Sequence, residues 1–250
     1  MGMSYNPFSL EGKTILITGA SSGIGKETAI VCSKLGAKLI ITGRNEERLK
    51  ETFQCLQGDG HIQYIADINN EADLEKLVLD CPIINGLVNN AGLGKSKPVN
   101  FINRNDLEEV FNTNVFGVVL LTKLLLKKKK IAKNGSIVFT SSISSKLTAP
   151  GLGIYSSSKA AVSAFMRTCA IELGSKGIRS NSVLPGMVET KLINSGTYTD
   201  EDKKQDLNLY PLGRYGIPQD VAFAIAYLLS DAAQWVTGTE LIVDGGRCLK

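Results

Sequence analysis

Residues 13–25 read Lys-Thr-Ile-Leu-Ile-Thr-Gly-Ala-Ser-Ser-Gly-Ile-Gly, an apolar run that enters a glycine-rich turn. The run from Lys13 to Thr18 is typical of a strand buried on both faces, and a helix is predicted from about Lys26 to Leu35. Glycines at such a turn let the backbone approach a pyrophosphate, and the helix N-terminus supplies free N–H groups. The spacing is G-x-x-x-G-x-G rather than G-x-G-x-x-G. This context predicts a dinucleotide site, with a plain turn as the alternative.

Strand and helix patterns alternate along the rest of the chain, without a linker, repeat or low-complexity tract. Further strands are predicted at about 38–42, 62–66, 86–89, 135–141, 179–184 and 241–243. The helices predicted between them include about 71–79, 105–130 and 218–229. This alternation predicts one α/β domain over residues 1–250, a Rossmann-type, doubly wound, seven-stranded parallel sheet between two helical layers.

Composition and charge are those of an ordinary soluble globular protein. Of 250 residues, 43% are apolar and 21% are charged, and the formal net charge is +4. A net charge this small does not indicate nucleic-acid binding. The longest apolar candidate for a membrane span, Val115 to Leu126, is short and is interrupted by Lys123. The N-terminus lacks the regions of a signal peptide, so we expect neither nucleic acid nor a membrane as a partner.

Five cysteines are scattered along the chain without a C-x-x-C pair, which favours a reducing, cytoplasmic compartment. His61 is the single histidine and follows Gly58-Asp59-Gly60, where a surface turn is expected. The sequence therefore predicts no histidine-based triad, no zinc site and no other metal.

The second predicted strand ends in Gly43-Arg44-Asn45. Proteins that select NAD usually carry an acid at this strand end for the ribose 2′-hydroxyl, whereas NADP requires a cation for its 2′-phosphate. Arg44 stands there without an acid, which favours NADP(H) over NAD(H). The alternative is that Arg44 merely begins the charged helix that follows.

Tyr155 and Lys159 lie four residues apart in a segment of helical period, so both side chains are predicted on one helix face. A nearby ammonium lowers the pKa of a phenol and makes it a usable proton donor. Ser142 follows a predicted buried strand. The three side chains together could polarise and protonate a carbonyl group. Taken alone, the pair also fits a half-buried tyrosine beside a solvated lysine.

Asparagines stand at two unusual places. Asn89 and Asn90 enter a tight turn after the fourth strand, where such side chains satisfy turn backbone or reach a ligand. Asn114 lies inside the long predicted helix, where asparagine is unfavourable. It bends that helix, binds water, or is a satisfied polar group.

Most of the local positive charge is the run Lys127 to Lys130, at a predicted helix C-terminus where cations suit the dipole. One interpretation is a solvated helix end. The other is a docking patch for an acidic carrier protein, extended by Lys133, Lys176 and Arg179.

Three loops are expected to select the substrate: Gly94 to Pro98, Ile143 to Ile154 and Thr190 to Pro211. The last of these is polar and lacks a clean period, and we expect it to be a mobile lid.

With these residues in place, the chain resembles the short-chain dehydrogenase/reductase family over essentially its whole length. Thr18 to Gly25 resembles the family's cofactor turn, and Asn89-Asn-Ala-Gly92 resembles its fourth-strand motif. Pro185-Gly186 and Thr190 match the loop at the nicotinamide carboxamide. Four residues match the family's catalytic tetrad, namely Asn114, Ser142, Tyr155 and Lys159.

The resemblance implies a role for each member of the tetrad. Tyr155 would protonate the carbonyl oxygen as a hydride arrives from the nicotinamide, and Ser142 would orient that oxygen. Lys159 would hold the nicotinamide ribose and lower the pKa of Tyr155. Asn114 would anchor a water that connects Lys159 to solvent.

The resemblance also implies a set of cofactor contacts. Asp67 would contact the adenine with help from the backbone of Ile68, Asn89 would line the cofactor channel, and Val188 and Thr190 would line the carboxamide site. The full set is Gly19, Ser21, Ser22, Gly23, Ile24, Gly25, Arg44, Asp67, Ile68, Asn89, Ala91, Gly92, Tyr155, Lys159, Pro185, Gly186, Val188 and Thr190.

One departure from the family pattern bears on the cofactor. Many NADP-using relatives place a basic residue just before the second glycine of the turn, where this chain has Ser22. The expectation of NADP(H) therefore depends on Arg44 alone.

Family members of this length are commonly homotetramers, so the resemblance implies a homotetramer or a homodimer. The apolar stretch Val115 to Leu120 and the stretch Trp235 to Val243 fit such contacts. They fit ordinary core burial equally well.

Within the family, the C-terminal segments Pro211 to Pro218 and Gly238 to Gly246 resemble the 3-oxoacyl-[acyl-carrier-protein] reductase branch. The leading hypothesis is therefore an NADPH-dependent reductase of 3-oxoacyl thioesters, with the acyl chain on an acyl carrier protein. The second is a reductase or dehydrogenase of a free small alcohol, sugar or steroid. The third is a non-catalytic NADP-binding regulatory protein, which has no need of an intact tetrad.

Overall fold

The computed structural model describes residues 6–189 and 205–249. The strands are β1 (Thr14–Thr18), β2 (Lys38–Gly43), β3 (Ile62–Ile65), β4 (Ile84–Asn89), β5 (Ile131–Thr140), β6 (Arg179–Pro185) and β7 (Glu240–Val243). They form one seven-stranded sheet in the order β3-β2-β1-β4-β5-β6-β7, and every neighbouring pair is parallel. The chain winds from β1 out to β3, returns to β4 beside β1, and winds out to β7. The predicted doubly wound fold is confirmed.

Helices cover both faces of the sheet. They are α1 (Gly23–Lys34), α2 (Glu46–Gln54), α3 (Glu71–Asp80), α4 (Arg104–Phe111), α5 (Gly117–Lys127), α6 (Gly153–Leu173) and α7 (Pro218–Leu229). Apolar side chains of α1, α2 and α7 pack with Ile15 and Ile17 on one face, and those of α3, α5 and α6 pack with Leu16 on the other. Successive side chains of a strand point to opposite faces, so the apolar run of β1 contributes to both layers.

The long helix predicted at 105–130 is interrupted by a π-helical turn. The helical span Arg104–Lys127 consists of α4, the turn Asn112–Phe116 and α5. Asn114 is buried in this turn, and π-helical turns of this kind are frequent at functional sites. The asparagine that is unusual in the sequence therefore marks an irregularity of the helix.

Among the described residues, Arg104–Lys127 is also the one helix that is long and apolar enough to cross a membrane. It has 24 residues and a mean hydropathy of 1.4 over its most apolar window, and 44% of that window is buried inside the fold. It is longer than the apolar run Val115 to Leu126 because it includes the polar turns of α4. The α5 part of the span packs against α3 and the sheet and contributes to the core.

Element boundaries differ from the prediction at the lysine run. Lys127–Lys130 comprises the end of α5 and a tight turn, in which Lys129 takes a left-handed φ of +55°. β5 begins at Ile131, four residues before the predicted start. Lys130 Nζ donates to two backbone carbonyl oxygens at the end of α3 and just after it, so this lysine ties the turn to the fold.

Arg179 does not belong to an exposed basic patch, which contradicts the interpretation that extends a docking patch to this residue. It begins β6, is buried, and donates to the carbonyl oxygens of Leu228 (2.7 Å) and Ser230 (3.2 Å) at the end of α7. The last carbonyl groups of a helix have no partner within it, and a cation suits the negative end of the helix dipole. Arg179 therefore joins α7 to the sheet.

Removing this guanidinium should destabilise the fold. In Arg179→Met the carbonyl groups of Leu228 and Ser230 lose a buried charged donor, and we expect the free energy of unfolding to fall by about 2–4 kcal/mol. Arg104→Met is the matched control, because Arg104 is exposed and its ion pair with Glu108 contributes roughly 0–1 kcal/mol. Urea denaturation measures both variants, and equal midpoints would show that Arg179 does not hold α7.

Candidate active site

The sequence motifs meet at the carboxyl edge of the sheet, where the winding reverses between β1 and β4. The glycine turn follows β1, Asn89 ends β4, Ser142 follows β5 and Gly186 follows β6. In doubly wound sheets, ligands bind in the crevice at this reversal.

Glycines let the turn after β1 pack directly against the turn after β4. Gly19 has a φ of +65°, and a Cβ there would lie 2.9 Å from the Cα of Ala91. A Cβ on Gly25 would lie 2.3 Å from the carbonyl oxygen of Gly19 and 2.4 Å from Nδ2 of Asn90. A side chain at either position would separate the two turns.

The N-terminus of α1 is left open. Ser22 precedes the helix, but its side chain makes no capping hydrogen bond, and the first turn contains no acid. By contrast, Asn45, Asn70 and Asn103 cap α2, α3 and α4, and each of those helices carries an acid in its first turn. The first N–H groups and the positive dipole end of α1 are therefore available to an anion. The diphosphate of a dinucleotide fits this site.

Arg44 and Asp67 lie side by side beyond the ends of β2 and β3. Nη1 of Arg44 is 3.7 Å from Oδ2 of Asp67, and 63% of the Arg44 side chain is exposed. Oδ1 of Asp67 accepts a hydrogen bond from the N–H of Asn69 (2.9 Å). A Cβ on Gly43 would lie 3.3 Å from Oγ of Ser21, so the glycine turn adjoins this pair. The long contact with Asp67 leaves Arg44 available to a second anion.

Asn90, rather than Asn89, faces the glycine turn. Its Nδ2 donates to the carbonyl oxygens of Thr18 (3.1 Å) and the next residue, and its Oδ1 accepts from the Thr140 hydroxyl (3.3 Å). Asn89 lies behind the turn with 2% exposed surface. Its Nδ2 donates to Thr122 on α5, and its Oδ1 has no partner among the described residues. The expectation that Asn89 lines a cofactor channel does not agree with this placement.

Asn114 fastens the loop after β4 to the long helix. Its Oδ1 accepts from the N–H of Leu93 (2.8 Å), and its Nδ2 donates to the carbonyl oxygen of Leu93 (2.9 Å) and to Ser158 Oγ (3.0 Å). Both amide hydrogens are used, so the NH₂ group of Asn114 does not hold the water expected there. Gly92 lies between Asn114 and Lys159, because a Cβ on it would be 3.2 Å from Oδ1 and 3.3 Å from Nζ.

The structure brings Ser142, Tyr155 and Lys159 together. Ser142 lies beside Tyr155, close enough to act on its pKa, and its Oγ accepts from the N–H of Ser144 (3.1 Å). On α6, Nζ of Lys159 lies 5.8 Å from the centroid of the Tyr155 ring. Lys159 is buried, and its Nζ donates to the carbonyl oxygen of Thr140 at the end of β5 (2.8 Å).

Burial changes the pKa of both groups on α6. It lowers the pKa of Lys159 to about 8. It raises the pKa of Tyr155, although the neighbouring Ser142 acts in the opposite direction. The net shift of the Tyr155 pKa is therefore upward, opposite to the lowering expected from the sequence. The ammonium lies over the ring and is bonded to Thr140, so the loss of hydration dominates.

The chain beyond β6 packs against the end of β7. Pro185 ends β6, and the N–H of Gly186 donates to the last residue of β7 (3.0 Å). A Cβ on Gly186 would lie 3.0 Å from the Cα of Asp244, so this close approach favours glycine. Val188 is buried and forms an isolated parallel bridge with Gly216.

Thr190 and most of the predicted lid, residues 190–204, lie outside the described residues. At the described end of this segment, Tyr210 is buried and its hydroxyl oxygen accepts from the N–H of Met187 (3.0 Å). Its ring packs edge-on against Tyr215, with centroids 5.3 Å apart. This end of the segment is therefore anchored to the fold, and the mobile lid itself stays a prediction.

Several residues of the site received no role from the sequence. Thr18 Oγ1 accepts from the N–H groups of Asn90 and Ala91 (3.0 Å each). The carbonyl oxygen of Thr140 binds Lys159, and the hydroxyl of Ser158 binds Asn114. Backbone carbonyls and short hydroxyl groups leave no pattern in a sequence. The one available signal is position, because Thr18 and Thr140 are the last residues of β1 and β5.

Comparisons with known proteins agree with this architecture. The model of a family described as enoyl-(acyl carrier protein) reductase matches residues 19–247. The chain is 34% identical over 240 residues to 3-oxoacyl-[acyl-carrier-protein] reductase FabG of Rickettsia prowazekii (strain Madrid E), covering 96% of this chain and 98% of the relative. It is 32% identical over 241 residues to cyclopentanol dehydrogenase of Comamonas sp. (strain NCIMB 9872), covering 94% and 96%.

Solved structures are similar along nearly the whole chain. A short-chain type dehydrogenase/reductase from Mycobacterium ulcerans has a TM-score of 0.88 and 32% identity, covering 97% of this chain and 92% of its own. 3-Ketoacyl-(acyl-carrier-protein) reductase from Brucella melitensis, complexed with NADH, has a TM-score of 0.85 and 32% sequence identity, and the match covers 96% of this chain and 99% of the reductase. An Agrobacterium tumefaciens protein with bound NADP has a TM-score of 0.88 and 28% sequence identity, and the match covers 98% of this chain and 100% of that protein. By these matches the chain belongs to the short-chain dehydrogenase/reductase family and is an oxidoreductase.

Proposed function

We propose that the protein reduces a carbonyl compound to a secondary alcohol with NADPH, that 3-oxoacyl thioesters are its substrate class, and that Tyr155 is the proton donor. The observation that carries the proposal is the placement of Ser142, Tyr155 and Lys159 at the sheet edge where the N-terminus of α1 is open. The similarity to a 3-oxoacyl-[acyl-carrier-protein] reductase supports the substrate class.

The cofactor bound in this crevice would supply a hydride to the carbonyl carbon. The first turn of α1 would hold its diphosphate, and the exposed guanidinium of Arg44 would hold the 2′-phosphate of NADP(H). One solved relative contains NADP and another NADH, so Arg44 remains the basis for this preference over NAD(H). Further contacts are proposed for Gly19, Ser21, Ser22, Gly23, Ile24, Gly25, Asp67, Ile68, Ala91, Gly92, Tyr155, Lys159, Pro185, Gly186, Val188 and Thr190.

The side chains of this protein would handle the proton. The Ser142 hydroxyl binds the carbonyl oxygen, and Tyr155 transfers its phenolic proton to that oxygen as the hydride reaches the carbon. Tyr155 is protonated at neutral pH, as a donor requires, because a phenol ordinarily titrates at about pH 10. An ammonium has three donors. Lys159 uses one of its N–H donors on the carbonyl oxygen of Thr140, so two N–H donors are available for ribose hydroxyls. Its positive charge stabilises the phenolate left on Tyr155.

The lysine run does not support docking of a carrier protein at the active site. Lys127–Lys130 precedes β5 and Ser142 follows it. β5 bulges between Ile131 and Ser136 and pairs with Ile84–Asn89 of β4, so about six strand steps of roughly 3.3 Å place the two ends on the order of 20 Å apart, at opposite edges of the sheet. Lys133 and Lys176 are exposed at the same distant edge. Close to the site, Lys146 is already paired with a carboxylate of β7 (2.6 Å).

A reductase of a free ketone is the second candidate. The position of the lysine run favours it, and so does the 32% identity to cyclopentanol dehydrogenase. A regulatory protein without turnover has little support, because membership of an oxidoreductase family and the arrangement of Ser142, Tyr155 and Lys159 both favour catalysis.

For the assembled protein we propose a homotetramer or homodimer in the cytoplasm. Large apolar side chains are exposed in both stretches expected at subunit contacts. Phe116 is 53% exposed and Trp235 is 99% exposed. Burial of such groups favours association.

Tyr155→Phe tests the reaction. With a 3-oxoacyl thioester and a panel of free ketones, we expect the variant to lose about 10²–10⁴-fold in kcat for NADPH oxidation, because phenylalanine has no proton to donate. Its affinity for NADPH should change far less than kcat, because the Tyr155 hydroxyl is one of many proposed cofactor contacts. Tyr64→Phe is the matched control, since the Tyr64 hydroxyl donates to Asp80 away from the site.

The substrate panel separates the candidates. Turnover of the thioester supports the leading candidate, and turnover of free ketones alone supports the second. Binding of NADPH without reduction of any compound would contradict both.

Arg44→Ala tests the cofactor preference. Loss of a charged hydrogen bond to the 2′-phosphate should raise KM for NADPH by about 10–100-fold and leave KM for NADH unchanged. Arg48→Ala is the control, because Arg48 is an exposed arginine of α2. Initial rates with the two cofactors measure the effect, and equal changes for NADPH and NADH would exclude a contact with the 2′-phosphate.

The lowered pKa of Lys159 predicts that kcat/KM for NADPH falls at high pH. Below about pH 8 the ammonium is present, and above it the charge that holds the ribose and stabilises the phenolate is lost. We expect kcat/KM for NADPH, which reports ionisations of the free enzyme, to be level below this pH and to decline above it. In Lys159→Arg the side chain stays charged, so the decline should disappear. If the decline persists in Lys159→Arg, another titrating group causes it.

A further inference from the structure

Ion pairs hold the loop after β4 against the start of α4. Nζ of Lys95 lies 2.7 Å from Oδ1 of Asp106 and also pairs with Glu109, and Nζ of Lys97 pairs with Oδ2 of Asp106. Both lysines belong to the loop, residues 93–98, and both acids belong to α4. The two segments are therefore joined by charge at more than one point.

Asp106 is the centre of this cluster and is only 5% exposed. Its Oδ2 also accepts the N–H of Asn103 (3.1 Å), whose side chain accepts the N–H of Asp106 (3.0 Å), which completes a capping box. Hydrogen bonds from Lys95 and then Lys97 hold the pKa of Asp106 well below its usual range. One carboxylate thus serves both the helix and the loop.

The same loop contacts the candidate catalytic residues at its other side. Asn114 bonds both backbone groups of Leu93, and the N–H of Lys97 donates to the carbonyl oxygen of Gly151 (2.8 Å). A Cβ on Gly151 would lie 2.6 Å from Oγ of Ser96, so the two segments are in close contact. Gly151 stands two residues before α6, the helix of the proton donor. The loop therefore spans the distance from the tetrad asparagine to the start of α6.

We propose that Asp106 is a positioning residue for substrate binding. Through Lys95 and Lys97 it holds the loop against Gly151, and it thereby sets the shape of the entrance between this loop and the segment that leads into α6. The lysines take no part in the capping box, so the two roles of Asp106 are separable. The proposal rests on the function proposed for the site.

Because the ion pairs are partly exposed, we expect them to hold the loop in place without contributing much to the stability of the whole fold. Lys95 and Lys97 retain 29% and 27% of their side-chain surface exposed, and partly exposed pairs contribute little to overall stability. Breaking them should release the loop without unfolding the protein, because loops with few buried apolar contacts open locally.

Lys97→Met breaks one contact of the loop and leaves the capping box intact. We expect KM for the carbonyl substrate to rise about 10-fold through misplacement of the entrance, with kcat within about twofold of the wild type. Affinity for NADPH should be unchanged. Asp106→Asn should behave similarly, and the double variant should be no worse than Asp106→Asn alone, because both changes remove one interaction. Glu108→Gln, an exposed acid of the same helix, is the control.

Amide hydrogen exchange of the free protein gives a readout that does not depend on turnover. The amide at position 97 should exchange faster in Lys97→Met and Asp106→Asn than in Glu108→Gln. The proposal is overturned if neither Lys97→Met nor Asp106→Asn changes the exchange at position 97 or KM, and only Asp106→Asn lowers the melting temperature. That result would mean that Asp106 serves only to cap the helix. If the wild type reduces no carbonyl compound, the proposed function fails, and exchange at position 97 alone decides this proposal.

Discussion

The direct contact between the turn after β1 and the turn after β4 is the constraint on which the site depends. It exists because Gly19 and Gly25 carry no side chain where a Cβ would meet Ala91 or Asn90 at less than 3 Å. This contact places the open N-terminus of α1 beside the loop that begins at Gly92. The absence of a Cβ on Gly92 in turn lets a buried asparagine and a buried lysine approach the same backbone. The proposed sites of phosphate binding and proton transfer are thus arranged by one set of close backbone contacts.

Burial gives the site its acid–base character. A buried ammonium is costly unless it is hydrogen-bonded, and Lys159 has the carbonyl oxygen of Thr140 as its partner. The same loss of hydration moves the pKa of Lys159 down and that of Tyr155 up. The tyrosine is therefore held as a neutral acid beside a lysine that is close to losing its charge. Paired groups with pKa values displaced in this way are typical of catalytic sites.

Charge differs between the two edges of the sheet. At the amino edge, most of the lysines in the run before β5 project into solvent. At the carboxyl edge, three lysines of the described loops, Lys95, Lys97 and Lys146, are paired with Asp106, Glu109 or Glu240. These three lysines therefore add little net charge beside the candidate site. A basic run read along the chain does not indicate which edge it occupies.

The sequence by itself determined the fold class, because doubly buried strands, glycine turns and helical periods are local patterns. It also brought forward Asn114, Ser142, Tyr155 and Lys159 as a set. Only the tertiary structure decided that Asn90 rather than Asn89 faces the glycine turn, that Arg179 caps α7, and that the lysine run lies at the far edge. It also decided the direction of the Tyr155 pKa. These features depend on contacts between segments distant in the chain and on the loss of hydration, neither of which a local pattern encodes.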